Sequence, residues 1–114
     1  MQYLLLIYDD EKRWTKLSQA EQDAESSAFG AYSKEFSGAI RGSNALLPTS
    51  MAKTVRVRDG KTLATDGPFA ETKEQLGGYY LVEAATADEA IAMAAKIPWA
   101  RYGSIEVRPI MTFS

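Results

Sequence analysis

The sequence predicts one α+β domain in the order β-α-β, hairpin, β-α-β, with two helices on one side of an antiparallel sheet. Three observations carry that expectation. Residues 3–8 and 79–82 are apolar at successive positions, so both faces of each strand need cover. Ser18 with Glu21, and Thr86 with Glu89, have the spacing of capping boxes that open helices. Asp59-Gly60 lies between two alternating arms and is a preferred pair for a two-residue type I′ turn.

Taken in order, Tyr3-Leu4-Leu5-Leu6-Ile7-Tyr8 is the first strand. The charged run Asp9-Asp10-Glu11-Lys12-Arg13 reads as a solvated connection. Trp14 beside it closes the edge of the core or of a site. The first helix then places Ala20, Ala24, Ala28, Tyr32 and Phe36 near one face, with Tyr32 a core residue and Gly38 the stop.

Residues 39–47 read as a second strand ended by Pro48. Residues 53–58 and 61–65 form the arms of the hairpin, with Arg56, Arg58 and Lys61 on its solvated side. Gly77-Gly78 marks a bulge entering the strand of residues 76–84, or a place where backbone and ligand come close. The second helix turns Ala90, Ile91, Ala94, Ala95 and Ile97 to the core and stops at Pro98. Residues 104–108 alternate as the last main strand, and residues 110–113 could continue as a tail strand. The layout is that of a ferredoxin-like βαββαβ domain with an extra β-hairpin.

Composition narrows the chemistry. The chain of 114 residues is 46% hydrophobic and 25% charged, which fits a single globular domain over residues 1–114. A net charge of −2 gives no electrostatic footprint for nucleic acid. The longest apolar run, residues 3–8, is too short to span a bilayer and lacks a preceding basic segment, so neither membrane nor secretion is expected. The absence of Cys fits a cytoplasmic location. The absence of His removes the usual general base and metal ligand, leaving Asp, Glu, Lys, Tyr and Arg for any catalysis. No metal or cofactor is expected.

The double-sided strands have a quaternary consequence. Two helices cover one face of the sheet, and the other is left as an apolar patch that a second copy would cover in a two-fold homodimer. Space left between the sheets would be a small-molecule pocket.

The stretch Asp66-Gly67-Pro68-Phe69-Ala70-Glu71-Thr72-Lys73-Glu74 concentrates carboxylates, a lysine, an aromatic and a rigid turn. Two carboxylates that approach across a turn can push their pKa values apart, as acid/base chemistry requires. Asp66 and Glu71 are therefore the candidate catalytic pair, with Gly67, Phe69, Lys73, Tyr8 and Arg108 as candidate ligand contacts. The competing reading is a well-built structural loop.

The run from Asp66 through Tyr79 resembles the signature of the DGPF branch of the YCII-related (YciI-like) family. The opening strand, residues 54–61 and residues 104–110 extend the likeness over essentially the whole chain. The resemblance implies a dimeric α/β barrel, similar to muconolactone isomerases, antibiotic-biosynthesis monooxygenases and chlorite dismutases. It implies a bacterial cytosolic protein with a site in the barrel cleft, and its supporting company of sigma factors implies a regulatory or accessory role. Better-known members carry a His-Asp pair that this chain cannot supply. Their Asp-Pro-Tyr turn is here Ile97-Pro98-Trp99. Two functions follow: an isomerase- or lyase-like enzyme, or a non-catalytic dimeric binding module linked to sigma-factor systems.

Overall fold

The computed structural model describes residues 1–113. Its elements run β1 (Gln2–Asp9), α1 (Glu11–Thr15), α2 (Gln19–Glu35), β2 (Ile40–Ala45), β3 (Lys53–Arg58), β4 (Lys61–Asp66), β5 (Gln75–Glu83), α3 (Ala87–Ala95) and β6 (Ser104–Pro109). Single 3-10 turns occupy Thr49–Met51 and Pro98–Arg101. Four strands form an antiparallel sheet in the order β2-β5-β1-β6, consistent with a ferredoxin-like arrangement. β3 and β4 form a separate two-stranded sheet. At its turn Asp59 and Gly60 both have positive φ, 52° and 74°.

The alternation of β1 decides where the core lies. Tyr3, Leu5, Ile7 and Asp9 are buried on the helix side, together with Tyr80 and Val82 of β5. Tyr32 of α2 and Ala90, Met93 and Ala94 of α3 close over them, with Ile97 beyond. Tyr32 stacks at 5.0 Å from Tyr80, and its hydroxyl donates to the Met93 carbonyl at 2.9 Å. Burial pushes the Tyr32 phenol well above its ordinary range, so it acts as a fixed donor in the core. On the opposite face Leu4, Leu6, Tyr8, Tyr79 and Leu81 are only half-buried, and no helix among the described residues packs over them.

Several local expectations change. The charged run after β1 is structured: the Asp10 side chain accepts from the Lys12 N–H and caps α1, while Asp9 is buried. Charge alone predicted solvation; the four-residue spacing of Asp9 and Arg13 lets each satisfy the other at 2.7 Å. α2 ends at Glu35, ahead of Gly38. The Ser18–Glu21 box is complete, whereas Glu89 accepts from Ala85 and only the Thr86 side chain follows the pattern. On α3, Met93 takes the core position assigned to Ile91, which is 53% exposed. Residues 110–113 make no strand, although the Ile110 N–H bonds Gln2 at 2.9 Å.

Gly77 is the bulge. Ile7 pairs with Gly78 and Tyr8 with Leu76, so Gly77 has no partner on β1. A side chain there would meet the Trp99 ring at 3.2 Å. The bulge is thus also where an aromatic ring lies against bare backbone.

Candidate functional site

At the Asp9 end of β1 the sheet, α1 and α2 border a half-open cavity of about 780 Å³. Trp14, Phe29, Tyr80 and Trp99 supply aromatic walls. Ile7, Ala45, Leu46 and Leu47 add aliphatic surface, and Asp9, Ser26, Asn44 and Gln75 add polar groups. Large apolar walls with few polar points are the usual make-up of a small-molecule site.

One charged network fixes the base. Arg13 donates from Nε to Asp9 Oδ2 at 2.7 Å, and from Nη1 and Nη2 to Glu25 at 2.9 and 3.0 Å. Trp99 Nε1 donates to the same Glu25 carboxylate at 2.8 Å. The guanidinium lies 4.1 Å from the Tyr102 ring centroid and 5.4 Å from that of Trp99. The Arg13 hydrogen bonds hold the Glu25 carboxyl below its ordinary value, against the opposing effect of burial. The same fork raises the Arg13 pKa further. A bidentate pair fixes both angle and distance. It ties α1 to α2 and orients Trp99, which packs edge-on to Phe29 at 5.4 Å and tilted to Trp14 at 5.8 Å.

A second tie fixes the rim. Glu11 accepts from Thr49 N and Oγ1 at 2.7 and 2.8 Å, and its own N–H donates to Gln75 Oε1 at 2.9 Å. These bonds join α1 to the segment after β2 and to the start of β5. Every carboxylate at the cavity therefore has a fixed partner: Asp9 with Arg13 and the Asp10 N–H, Asp10 with the Lys12 N–H, and Glu11 with Thr49.

The residues singled out from the sequence lie elsewhere. Asp66 ends β4, is 85% exposed at its side chain and pairs with Lys53. Gly67 has φ +91°, and its N–H donates to Ala52 at 2.7 Å. Phe69 is 77% exposed, and Glu71 and Lys73 are exposed in the following irregular segment. Tyr8 and Arg108 lie on the open sheet face, separate from the cavity lining. Within one chain, none of these seven residues lines the cavity.

The cavity residues are dispersed over six elements, β1, α1, α2, β2, β5 and the Pro98–Arg101 turn, which hides them from motif reading. Trp14 was the exception, placed beside a possible site. The available signal was the pair of tryptophans: the chain has two, and both line this cavity. No group of three or more acidic residues able to hold a metal occurs among the described residues. No helix among them is long and apolar enough to cross a membrane.

The YCII-related domain model matches residues 1–114, and the chain belongs to that family. It is 38% identical over 117 residues to an uncharacterized protein of Rhizobium meliloti, covering 99% of this chain and 94% of that one. Among solved structures it is similar to 5-chloro-2-hydroxyhydroquinone dehydrochlorinase from Burkholderia phenoliruptrix, in complex with 2,5-dihydroxybenzoquinone. That likeness has a TM-score of 0.60 at 15% identity and covers 97% of this chain and 94% of the other. At that identity it speaks for the fold.

Proposed function

We propose that this YCII-related protein, of the branch marked by Asp66-Gly67-Pro68-Phe69, is a cytoplasmic homodimer that binds a small planar molecule in the Trp14–Trp99 cavity. The carrying observation is the cavity itself: about 780 Å³, walled by the aromatic side chains of Trp14, Phe29, Tyr80 and Trp99 and fixed at its base by Arg13. The structural neighbour's bound 2,5-dihydroxybenzoquinone is a planar hydroxylated ring, and it supplies the first probe.

Catalysis in this reading is of the isomerase or lyase kind. Asp66 is the proposed acid/base and Glu71 the group that tunes it, with Gly67, Phe69, Lys73, Tyr8 and Arg108 as ligand contacts. All seven lie outside the cavity of their own chain, so this chemistry needs a second copy that brings them to a cleft. One observation favours the alternative, a non-catalytic binding module, with a sigma-factor-linked partner as its proposed context. The cavity carboxylates are already engaged, which suits holding a ligand better than moving its protons.

The test is a titration with 2,5-dihydroxybenzoquinone and a panel of hydroxylated aromatics. It is followed by tryptophan fluorescence and by calorimetry, to separate binding from optical absorption by the quinone. Saturable binding is expected, and Ala45→Phe, which puts a ring in place of a lining methyl, should weaken it at least tenfold. Absence of saturable binding across the panel, or indifference to Ala45→Phe, overturns the cavity reading. Turnover of any ligand that is unchanged by both Asp66→Asn and Glu71→Gln overturns their catalytic assignment.

A further inference from the structure

The fold is too open for a chain of its size. A compact monomer of 12.5 kDa exposes about 6,200 Å². This chain exposes 7956 Å², roughly 1,800 Å² more than that scaling gives. Its radius of gyration is 16.1 Å, against about 13 Å for a compact domain of this length. Its extents of 48 × 47 × 19 Å describe a plate with a projecting part. A stable dimer requires about 800 Å² from each partner, and the excess exceeds that.

The excess has two identifiable sources. One is the sheet face with Leu4, Leu6, Tyr8, Tyr79 and Leu81. The other is the β3–β4 hairpin, whose substantial packing is within itself. Its register puts Val55 opposite Ala64 and Val57 opposite Thr62 on one side, and Arg56 opposite Leu63 on the other. Val55 and Val57 are 62% and 59% exposed. An isolated two-stranded hairpin is at best marginally stable in water. This one has an apolar side whose valines are largely in solvent, and a cationic side suited to it.

We propose that the β3–β4 hairpin is an intersubunit arm, which lays its Val55/Val57/Ala64 side on a second copy of this chain and leaves Arg56, Arg58 and Lys61 in water. The proposal rests on the homodimer reading above and adds the arm as the element that clasps. Because the chain provides both an unsupported apolar hairpin and an uncovered apolar sheet face, a second copy answers both needs at once. The arm's roots extend the consequence to the cavity. Leu46, Leu47 and Pro48 lead toward the arm and form the outer cavity wall, yet Leu47 is 74% exposed. At the other root, Gly67 and Phe69 follow β4 directly. Docking the arm thus supports one wall of the site and carries the Asp66 segment to the partner.

The test compares wild type, Val55→Asp/Val57→Asp and Arg56→Asp by sedimentation equilibrium. A third variant replaces residues 53–66 with a two-residue link. That closure is feasible because Gly67 N and Ala52 O are already 2.7 Å apart. Wild type and Arg56→Asp should be dimers. The Val pair variant and the excision variant should retain folded circular dichroism and dissociate at least tenfold more readily. As a direct check, Val57→Cys in this cysteine-free chain, labelled with a thiol-directed photocrosslinker, should yield a dimer-mass product. A monomeric wild type overturns the dimer and the arm together, whatever covers the faces instead. A dimer that neither the Val pair nor excision weakens, with no dimer-mass product from Val57→Cys, overturns the arm and leaves the homodimer standing. The cavity reading has its own test in the ligand titration.

Discussion

The Asp9 network and the Asp66 segment use similar residue types under opposite conditions. Asp9, Arg13 and Glu25 differ sharply in exposure from Asp66 and Lys53: their side chains are 5%, 22% and 16% exposed, against 85% and 69%. Arg13 is forked onto two carboxylates and held between rings, whereas the Lys53–Asp66 pair sits in water. Desolvation strengthens the first arrangement and makes each missing partner costly. Screening leaves the second with little effect on stability. The charges of the motif-like segment thus contribute little to the monomer's fold, and the scattered residues hold its site together.

The largest effect expected on the buried side comes from a residue with no side chain. Gly103 passes the end of β1 so closely that a Cβ would sit 2.0 Å from the Tyr8 carbonyl oxygen. Both neighbours are backbone, so relief requires moving β6 from β1 beside Asp9. Gly103→Ala should destabilise by about 3 kcal/mol, measured by urea unfolding. A loss under about 1 kcal/mol would show that the two strands separate readily there.

Removing the buried carboxylate comes next. Asp9→Ala strips Arg13 Nε of its acceptor and leaves the Asp10 N–H without its 2.8 Å bond. Glu25 still holds the other end of the guanidinium, so the expected cost is about 2 kcal/mol. Ligand affinity at the cavity should fall as well, since α1 is no longer tied to the end of β1. Wild-type stability in Asp9→Ala would place the fixing role on Glu25 alone.

The third test uses pH. Arg13 lowers the folded-state pKa of Glu25 below its ordinary 4.5, so ionised Glu25 contributes stability above that value. The contribution is lost as pH falls from about 4.5 through the lower folded value, because the unfolded chain takes up the proton first. Glu25→Gln should cost about 1 kcal/mol at pH 7 and flatten the unfolding profile as pH falls below about 4.5. An unchanged slope would assign the acid sensitivity to other carboxylates.

The two regions were also unequally legible from sequence. β1, β5, the Ser18 cap and the Asp59-Gly60 turn are local devices, and each was readable from residue type and spacing. The Gly77 bulge was readable as a bulge, but its meeting with Trp99, twenty-two positions on, depends on tertiary packing. Asp9 was misjudged because a charge run normally marks solvent, and its burial is set by Arg13 and Glu25 together. Ile91 lost its core position to Met93 through the phase of α3, which two residues can shift without altering the pattern's appearance. The cavity depends on how β1, α1, α2, β2, β5 and the Pro98–Arg101 turn meet, and no contiguous run of residues encodes that.

The smallest stability effect bears on the Asp66 segment. Asp66→Asn keeps the shape and removes the charge that faces Lys53. Because both side chains are largely in water, the monomer should lose less than about 0.5 kcal/mol. The Gly67 turn should persist, since the Gly67 N–H bonds the Ala52 carbonyl and Thr54 Oγ1 donates to the Gly67 carbonyl at 2.8 Å, neither of which involves the carboxylate. The measurement is urea unfolding at a protein concentration low enough to favour the monomer, repeated at high concentration. A null effect at low concentration with a loss at high concentration would place the work of Asp66 on the second copy. A null effect at both, with ligand turnover abolished, would make it a chemical group. A loss above about 1 kcal/mol in the dilute protein would mean that Asp66 braces its own arm, and the contrast between the two regions would fail at the residue where it is sharpest.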